Sequence, residues 1–281
     1  MKLKKKKIPL ILLNGRLTKK TFDRWMFIKS FATKIFEKFD VCFVSNDETE
    51  NFLKILGGKN IKNYGNLKFV NNKTNITLDK AYLSQIENRN IWCAASTHPE
   101  EEVFCAKTHI EVKKIHKNVL TIIIPRHIER VKKIKKKLTN LNLKVFLFSE
   151  LNKINDDTDI LIVDLYGETT KFYDVAKSVF LGKSLNRHLN SGSGQNPIEA
   201  SRLGCKVIHG PNVSNFSEIY NYLKSLGITK EISKIEELSN FLITEFDQDK
   251  SIDIKIMKNI EKYGQEILNN INRELEEYIK I

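Results

Sequence analysis

Short apolar runs rich in valine and isoleucine recur along this chain, separated by longer stretches whose apolar positions fall at helical spacing. Residues 8–13 read as a buried strand, and 21–37 place Trp25, Ile28, Phe31, Ile35 and Phe36 along one helix. A strand at 41–44, a helix at 48–56 closed by Gly57-Gly58, and a short strand at 61–64 follow. A polar stretch then predicts a linker at 71–76. The alternation resumes with strands at 91–95, 119–125, 144–148, 160–163, 179–182 and 206–209. Helices are expected at 99–116, 129–137, 169–176, 196–203 and 215–226, and an amphipathic tail at 252–279 ends the chain as one or two helices. Strands with so little polar alternation, spaced by helices, predict an α/β fold with a parallel sheet covered on both faces. No internal repeat or sustained heptad is present.

A chain of 281 residues with 41% hydrophobic content is long enough for two domains, here 1–70 and 77–250, with helices at 251–281. The net charge of +13 favours an anionic partner such as nucleic acid, phospholipid or a phosphorylated substrate. Against nucleic acid, the lysine runs at 2–7 and 132–137 lack interleaved aromatics, and no recognition motif accompanies them. Cys42, Cys93, Cys105 and Cys205 are widely spaced in apolar surroundings, which suits a reducing cytosol and no disulfide framework. The apolar run at 8–13 is too short for a signal sequence or a membrane span, while lysine-rich faces leave contact with a membrane surface open.

Parallel sheets bind ligands beyond the carboxyl ends of their strands, so the residues that follow each strand are the candidates. Gly192-Ser193-Gly194-Gln195-Asn196-Pro197-Ile198-Glu199 combines two glycines with a helix start. Asn196 is suited to the N-cap, Pro197 to the first helical position and Glu199 to a capping box; the run is either a well-capped helix or a phosphate cradle. Arg126 and His127 directly follow the strand at 119–125, where an arginine suits bidentate phosphate contact or a pair with Glu129. Ser96 and Thr97 either cap the helix after Pro99 or help its N-terminus hold an anion, and Glu168 either caps or accepts from a sugar or nucleotide hydroxyl. Cys93, His98, Cys105 and His109 have no zinc-ligand spacing. There is no Gly-x-Ser-x-Gly elbow, and Gly182-Lys183-Ser184 imitates only the end of a P-loop.

Taken in order, Asn14-Gly15-Arg16-Leu17-Thr18, Gly65-Asn66-Leu67-Lys68, Ala94-Ala95-Ser96-Thr97-His98-Pro99-Glu100-Glu101 and Pro125-Arg126-His127-Ile128-Glu129-Arg130 form a distinctive series. It continues through 164–168, Gly182-Lys183-Ser184-Leu185, Gln195-Asn196-Pro197-Ile198-Glu199, Gly210-Pro211 and Asn215-Phe216-Ser217-Glu218. The series resembles the 3-deoxy-D-manno-octulosonic acid (Kdo) transferase family, bacterial glycosyltransferases of GT-B architecture that transfer Kdo from CMP-Kdo to a lipid A precursor. The resemblance implies that 77–250 is a Rossmann-like domain binding CMP-Kdo, and that 1–70 is the last part of an acceptor-side α/β domain. It implies a helical tail at 251–281 that crosses back to the N-terminal part.

On this resemblance Arg126 and His127 meet the CMP phosphate, Gly192, Gly194, Gln195 and Asn196 approach phosphate and sugar, and Glu199 accepts from nucleotide hydroxyls. Ser96, Thr97 and Glu168 complete the donor set, and Lys68 lies by the cleft. The implied reaction needs no cofactor or metal, and the implied location is the cytoplasmic face of the inner membrane. Two departures stand out. The loop at 186–191 is longer than the family's, with Gln195 where histidine is common, and the family's Ser-Val-Gly-Glu motif with its general-base glutamate is not in this sequence. Catalysis is therefore expected to need a complementary N-terminal segment or chain. The alternatives are a non-catalytic CMP-sugar or nucleotide-binding module and a degenerate fragment.

Overall fold

A computed structural model describes residues 8–70, 77–150, 154–185, 193–248 and 254–279, with side chains of the last segment from 257 onward. The predicted linker at 71–76 and Gly192 lie outside the described residues. The chain divides into two compact units, Met1–Lys73 with Lys258–Ile281, and Thr74–Met257.

In the first unit, strands β1 (Ile11–Gly15), β2 (Val41–Val44) and β3 (Ile61–Asn63) pair in parallel in that order. Helices α1 (Lys19–Phe27) and α2 (Lys29–Phe36) replace the single helix expected at 21–37. The break falls at Ile28, whose φ of −121° and ψ of 40° leave the helical region. Phe22 on one side and Ala32 and Phe36 on the other are then buried with Cys42, Val44, Leu53 and Leu56. Helix α3 (Asp47–Ile55) starts at Asn46, whose side chain accepts from Thr49 N at 2.7 Å.

In the second unit α4 (Lys80–Ile86) leads into β4 (Asn90–Thr97), α5 (Glu101–Lys113), β5 (Val119–Pro125), α6 (Val131–Thr139), β6 (Val145–Leu147) and β7 (Ile160–Ile162). Then come α7 (Thr169–Val175), β8 (Ser178–Leu181), α8 (Ile198–Arg202), β9 (Lys206–His209), α9 (Ser217–Ser225), β10 (Thr229–Glu231) and α10 (Ile235–Asp247). All seven strands are parallel, in the order β10-β9-β8-β4-β5-β7-β6. Helices cover the sheet, and Trp92, Ile123, Ile162, Phe180 and Ile208 lie in its fully buried core. On α6 the lysine run is a solvated face, with Val131, Ile134 and Leu138 buried opposite it. All four cysteines are buried free thiols.

The tail is one helix, α11 (Ile254–Glu276), and from Lys258 it belongs to the first unit. Glu274 accepts from Tyr64 Oη at 2.6 Å, and Tyr263 meets the Phe69 ring edge-on. A Cβ on Gly264 would lie 2.1 Å from the carbonyl oxygen of Phe69, closer than any side chain tolerates. Gly264→Ala is therefore expected to lower stability by about 1–3 kcal/mol in urea unfolding, despite alanine's higher helix propensity.

Candidate functional site

The chain order of the seven-stranded sheet reverses between β4 and β8, for β5 leaves β4 on one side and β8, β9 and β10 extend on the other. Connections diverging from adjacent strand ends open a crevice there. A register shift between Ala95 and Thr97 and a φ of 53° at Ser96 turn the end of β4 out of the ladder. Thr97 is fully buried and donates its hydroxyl to Glu102 Oε1 at 3.0 Å, while its carbonyl accepts from Arg126 N at 3.1 Å. Glu102 also binds the Arg130 guanidinium at 3.0 and 3.1 Å, a two-nitrogen contact that fixes its plane.

Glu101, 1% exposed, reaches across the crevice. Its Oε2 accepts from His98 N at 2.9 Å and Lys183 N at 2.8 Å, and its Oε1 from Ser184 N at 3.0 Å and Leu185 N at 3.2 Å. Burial raises its pKa, and the four N–H groups act in the opposite direction. The loop after β8 is tied on its other side as well. Ser184 Oγ accepts from Gly210 N at 2.8 Å, Asn212 N donates to Ser184 O at 2.9 Å, and Gly194 N donates to Lys183 O at 2.8 Å. Ends of β4, β5, β8 and β9 are thus knitted into one polar hub.

Cations converge on this hub. His98 faces His127 edge-on at 5.9 Å between ring centroids. Its Nε2 is buried with no hydrogen-bond partner among the described residues. Burial first, then the charges of Lys183, His127, Arg130 and Arg126, push the His98 pKa down to about 4. Arg126 and His127 are exposed, and Glu129 pairs with His127 Nδ1 at 3.5 Å rather than with Arg126. The arrangement is a positive crevice in which a neutral imidazole sits ready to hydrogen-bond; it suits a ligand with concentrated negative charge.

The capping expectations need correction. Helix α5 starts at Glu101 with no side-chain cap bond from its N-cap Glu100, so Ser96 and Thr97 cap nothing; the Glu101 carboxylate takes His98 N instead. Helix α8 begins at Ile198 with Pro197 as N-cap, so the capping box of Asn196 and Glu199 does not form. Asn196 Oδ1 accepts from Ile198 N at 3.2 Å, and Glu199 is exposed one residue further on. Glu168 does not cap α7 but pairs with Lys171 at 2.7 Å, in a groove shared with Tyr82, Phe148 and Leu165 beyond β6 and β7. Gly194 has φ +85° and would meet Val213 Cα at 2.8 Å if it bore a Cβ. The backbone oxygen of Gln195 accepts from Tyr220 Oη at 3.0 Å. Lys68 is exposed in a 3-10 turn of the first unit, with its backbone N–H on Asn66 Oδ1 at 3.0 Å.

Five residues of the hub, His98, Glu101, Glu102, Arg130 and Lys183, go beyond the sequence-based candidate set. The usable signal was the pair of adjacent glutamates shortly after a buried strand, since carboxylates there are solvated unless something binds them. Among the described residues no group of three or more His, Cys, Asp and Glu is placed to hold a metal ion, and no helix is long and apolar enough to cross a membrane.

A doubly wound parallel sheet with its crevice at the strand-order reversal, joined to a second parallel α/β unit, is the GT-B glycosyltransferase fold. HepE of Anabaena, solved with UDP, matches 98% of this chain and 74% of its own at TM-score 0.55 and 11% identity. The C-terminal CMP-Kdo binding domain of WaaA from Acinetobacter baumannii matches 65% of this chain and 91% of its own, at TM-score 0.55 and 23% identity. By sequence the chain is similar to Kdo transferases over nearly its whole length. The family model for 3-deoxy-D-manno-octulosonic-acid transferase matches residues 1–71. The 3-deoxy-D-manno-octulosonic acid transferase of Rickettsia prowazekii is 29% identical over 276 residues, 97% of this chain and 58% of the relative. The chain thus spans somewhat over half the length of that relative.

Proposed function

We propose that this chain supplies the CMP-Kdo-binding part of a Kdo transferase acting on a lipid A precursor. The observation that carries the reading is the hub at the β4–β8 crevice, to which Arg126, Arg130 and Lys183 are each hydrogen-bonded and at which His127 faces His98. In the reaction an acceptor hydroxyl oxygen attacks the Kdo anomeric carbon, the bond from that carbon to the phosphate oxygen breaks, and CMP leaves with the bonding pair. The developing phosphate charge is met by preorganised cations, which favours the transition state over the ground state. The acceptor's proton goes to a general base outside the residues of this crevice, in a complementary N-terminal segment. The transfer so proposed uses no cofactor. Gly194, Gln195 and Asn196 line the approach to sugar and phosphate, and Glu199 accepts from hydroxyls of the nucleotide, whereas Glu168 lies in the separate groove beyond β6 and β7.

Calorimetry with CMP tests this. Arg126→Ala is expected to weaken binding about tenfold or more, the worth of a charged hydrogen bond. Wild-type affinity in that variant, or no CMP binding by the unaltered chain, overturns the reading. Transfer of Kdo should appear when a relative's N-terminal segment is supplied, and CMP binding with no transfer under any pairing returns a non-catalytic binding module.

The same reading places the protein at an anionic membrane surface. On α1 and α2, Phe27 is 89% and Phe31 57% exposed beside Ile28, next to Lys19, Lys20, Arg24 and Lys29. Apolar side chains flanked by lysine and arginine suit the interface of anionic lipids. Replacing Phe27 and Phe31 together by serine is expected to abolish flotation with phosphatidylglycerol vesicles; unchanged flotation removes this face from consideration.

A further inference from the structure

We propose that Glu101 is a positioning residue for the anion site: its buried carboxylate takes the backbone N–H groups of Lys183, Ser184 and Leu185, and so aims the Lys183 ammonium at the ligand. The binding arm of its test rests on the donor-site reading above; the geometric claim does not.

Consecutive N–H groups in a tight turn after a strand form a concavity that binds anions. Here the concavity is already filled by the chain's own carboxylate, with both oxygens used and a further bond from His98 N. A ligand at the β4–β8 crevice is therefore left to the side chains. Lys183 is the residue this arrangement constrains most. Its φ is 58°, a conformation a lysine holds only when its surroundings impose it. They do so from both sides, for its N–H is held by Glu101 and its carbonyl by Gly194 N at 2.8 Å. Gly182 lets the carboxylate approach, since a Cβ there would lie 2.7 Å from Glu101 Oε2. Lys183 stands just past the end of β8, beside the end of β4 that leads to His98, and its charge is among those that lower the His98 pKa. The adjacent Glu102 is as well buried but binds Thr97 and Arg130, on the other side of the crevice. Two neighbouring carboxylates at the start of α5 thus hold one cation-bearing loop each.

The test is a double-mutant cycle on the full chain, with two readouts. Lys183→Ala should raise the His98 titration midpoint, followed by imidazole NMR, and weaken CMP about tenfold. In a Glu101→Gln background, the same lysine substitution should change either readout by less than about twofold, because the ammonium is no longer aimed. In Glu102→Gln the lysine effect should persist. A full lysine effect in Glu101→Gln overturns the proposal, since a purely structural glutamate would leave it intact. Glu101→Asp, which keeps the charge but falls short of the four N–H groups, serves if Glu101→Gln does not fold. In the wild-type chain the Lys183, Ser184 and Leu185 amides must exchange slowly and stay bonded to Glu101 on CMP addition; fast exchange overturns the proposal whichever variants fold. If CMP does not bind but the His98 coupling holds, the donor reading fails and Glu101 keeps its role.

Discussion

Asp159→Ala is expected to destabilise the second unit by about 3–5 kcal/mol in urea unfolding, the loss typical of removing one partner from a buried ionic cluster. Asp159 is 4% exposed and directly precedes β7, at the end of the sheet opposite the crevice. Its Oδ2 accepts from Lys144 N at 2.9 Å, and its Oδ1 meets Lys113 Nζ and His109 Nε2, the latter at 3.4 Å. His109, fully buried on α5, binds Thr121 Oγ1 of β5 at 2.8 Å through its other nitrogen. Arg89 closes the cluster, donating to the carbonyls of Val119 and Thr158 at 2.7 Å each. Alanine at 159 leaves the Lys144 N–H and the His109 ring without their acceptor in a buried place, and such groups are expensive to leave unmade. CMP affinity of the folded variant should stay within about twofold of wild type, because the crevice is untouched.

The same cluster sets the acid limb of stability. Burial pushes the Asp159 carboxyl up, but the hydrogen bonds from His109, Lys113 and Lys144 N outweigh it and hold the group well below the usual carboxylate range. A depressed carboxyl stabilises the fold above its unfolded pKa of about 3.9, and that contribution is lost as pH falls through the folded value. Burial also lowers the His109 pKa, so the unfolded chain takes up a proton first and stability falls as pH drops below about 6.5. Urea midpoints should therefore fall from pH 7 to pH 3, and Asp159→Ala should flatten the part of that fall below about pH 4. An acid limb of unchanged slope in the variant would remove Asp159 as its source.

The strands of the second unit were legible in the sequence because both faces of a parallel sheet are covered. Val119–Pro125 is buried at every position, so an unbroken apolar run marks it. The edge strand Thr229–Glu231 carries no such run and gives no signal. Helix α10 buries Leu238, Leu242 and Phe246 at four-residue spacing, yet a strand–helix alternation ending at 226 does not call for it. The break at Ile28 was hidden because apolar spacing runs through it without a Gly or Pro. In the site, Arg126 and His127 could be placed from their position after a strand. Glu101 and Lys183, 82 residues apart, could not, because their contact depends on β8 lying beside β4, a non-local fact of strand order. The ordinary expectation for two glutamates at a helix start is solvent, and only the packed hub turns them inward.

Gly182→Val is expected to cost about 3 kcal/mol of stability and to reduce CMP binding well beyond tenfold, since it obstructs the hub from within. The barrier is space rather than backbone conformation. A Cβ on Gly182 would lie 2.5 Å from Ser96 O and 2.7 Å from both Thr97 Cα and Glu101 Oε2. Two of these atoms are backbone at the end of β4, and the third belongs to a carboxylate held by four N–H groups, so none can move aside as the tip of a flexible side chain would. Gly182 N also donates to Ala95 O at 2.9 Å, the rung that brings the ends of β8 and β4 together. Relief of the clash must therefore part the two strand ends, releasing Lys183 from Glu101 and widening the crevice at the point where the cations converge. Stability and ligand affinity should fall together in this variant, whereas in Asp159→Ala they separate; urea midpoints and CMP calorimetry on the two proteins distinguish a hub that supports both from a sheet that merely tolerates a ligand. Wild-type affinity in a folded Gly182→Val protein would mean that the ligand does not use the β4–β8 crevice at all.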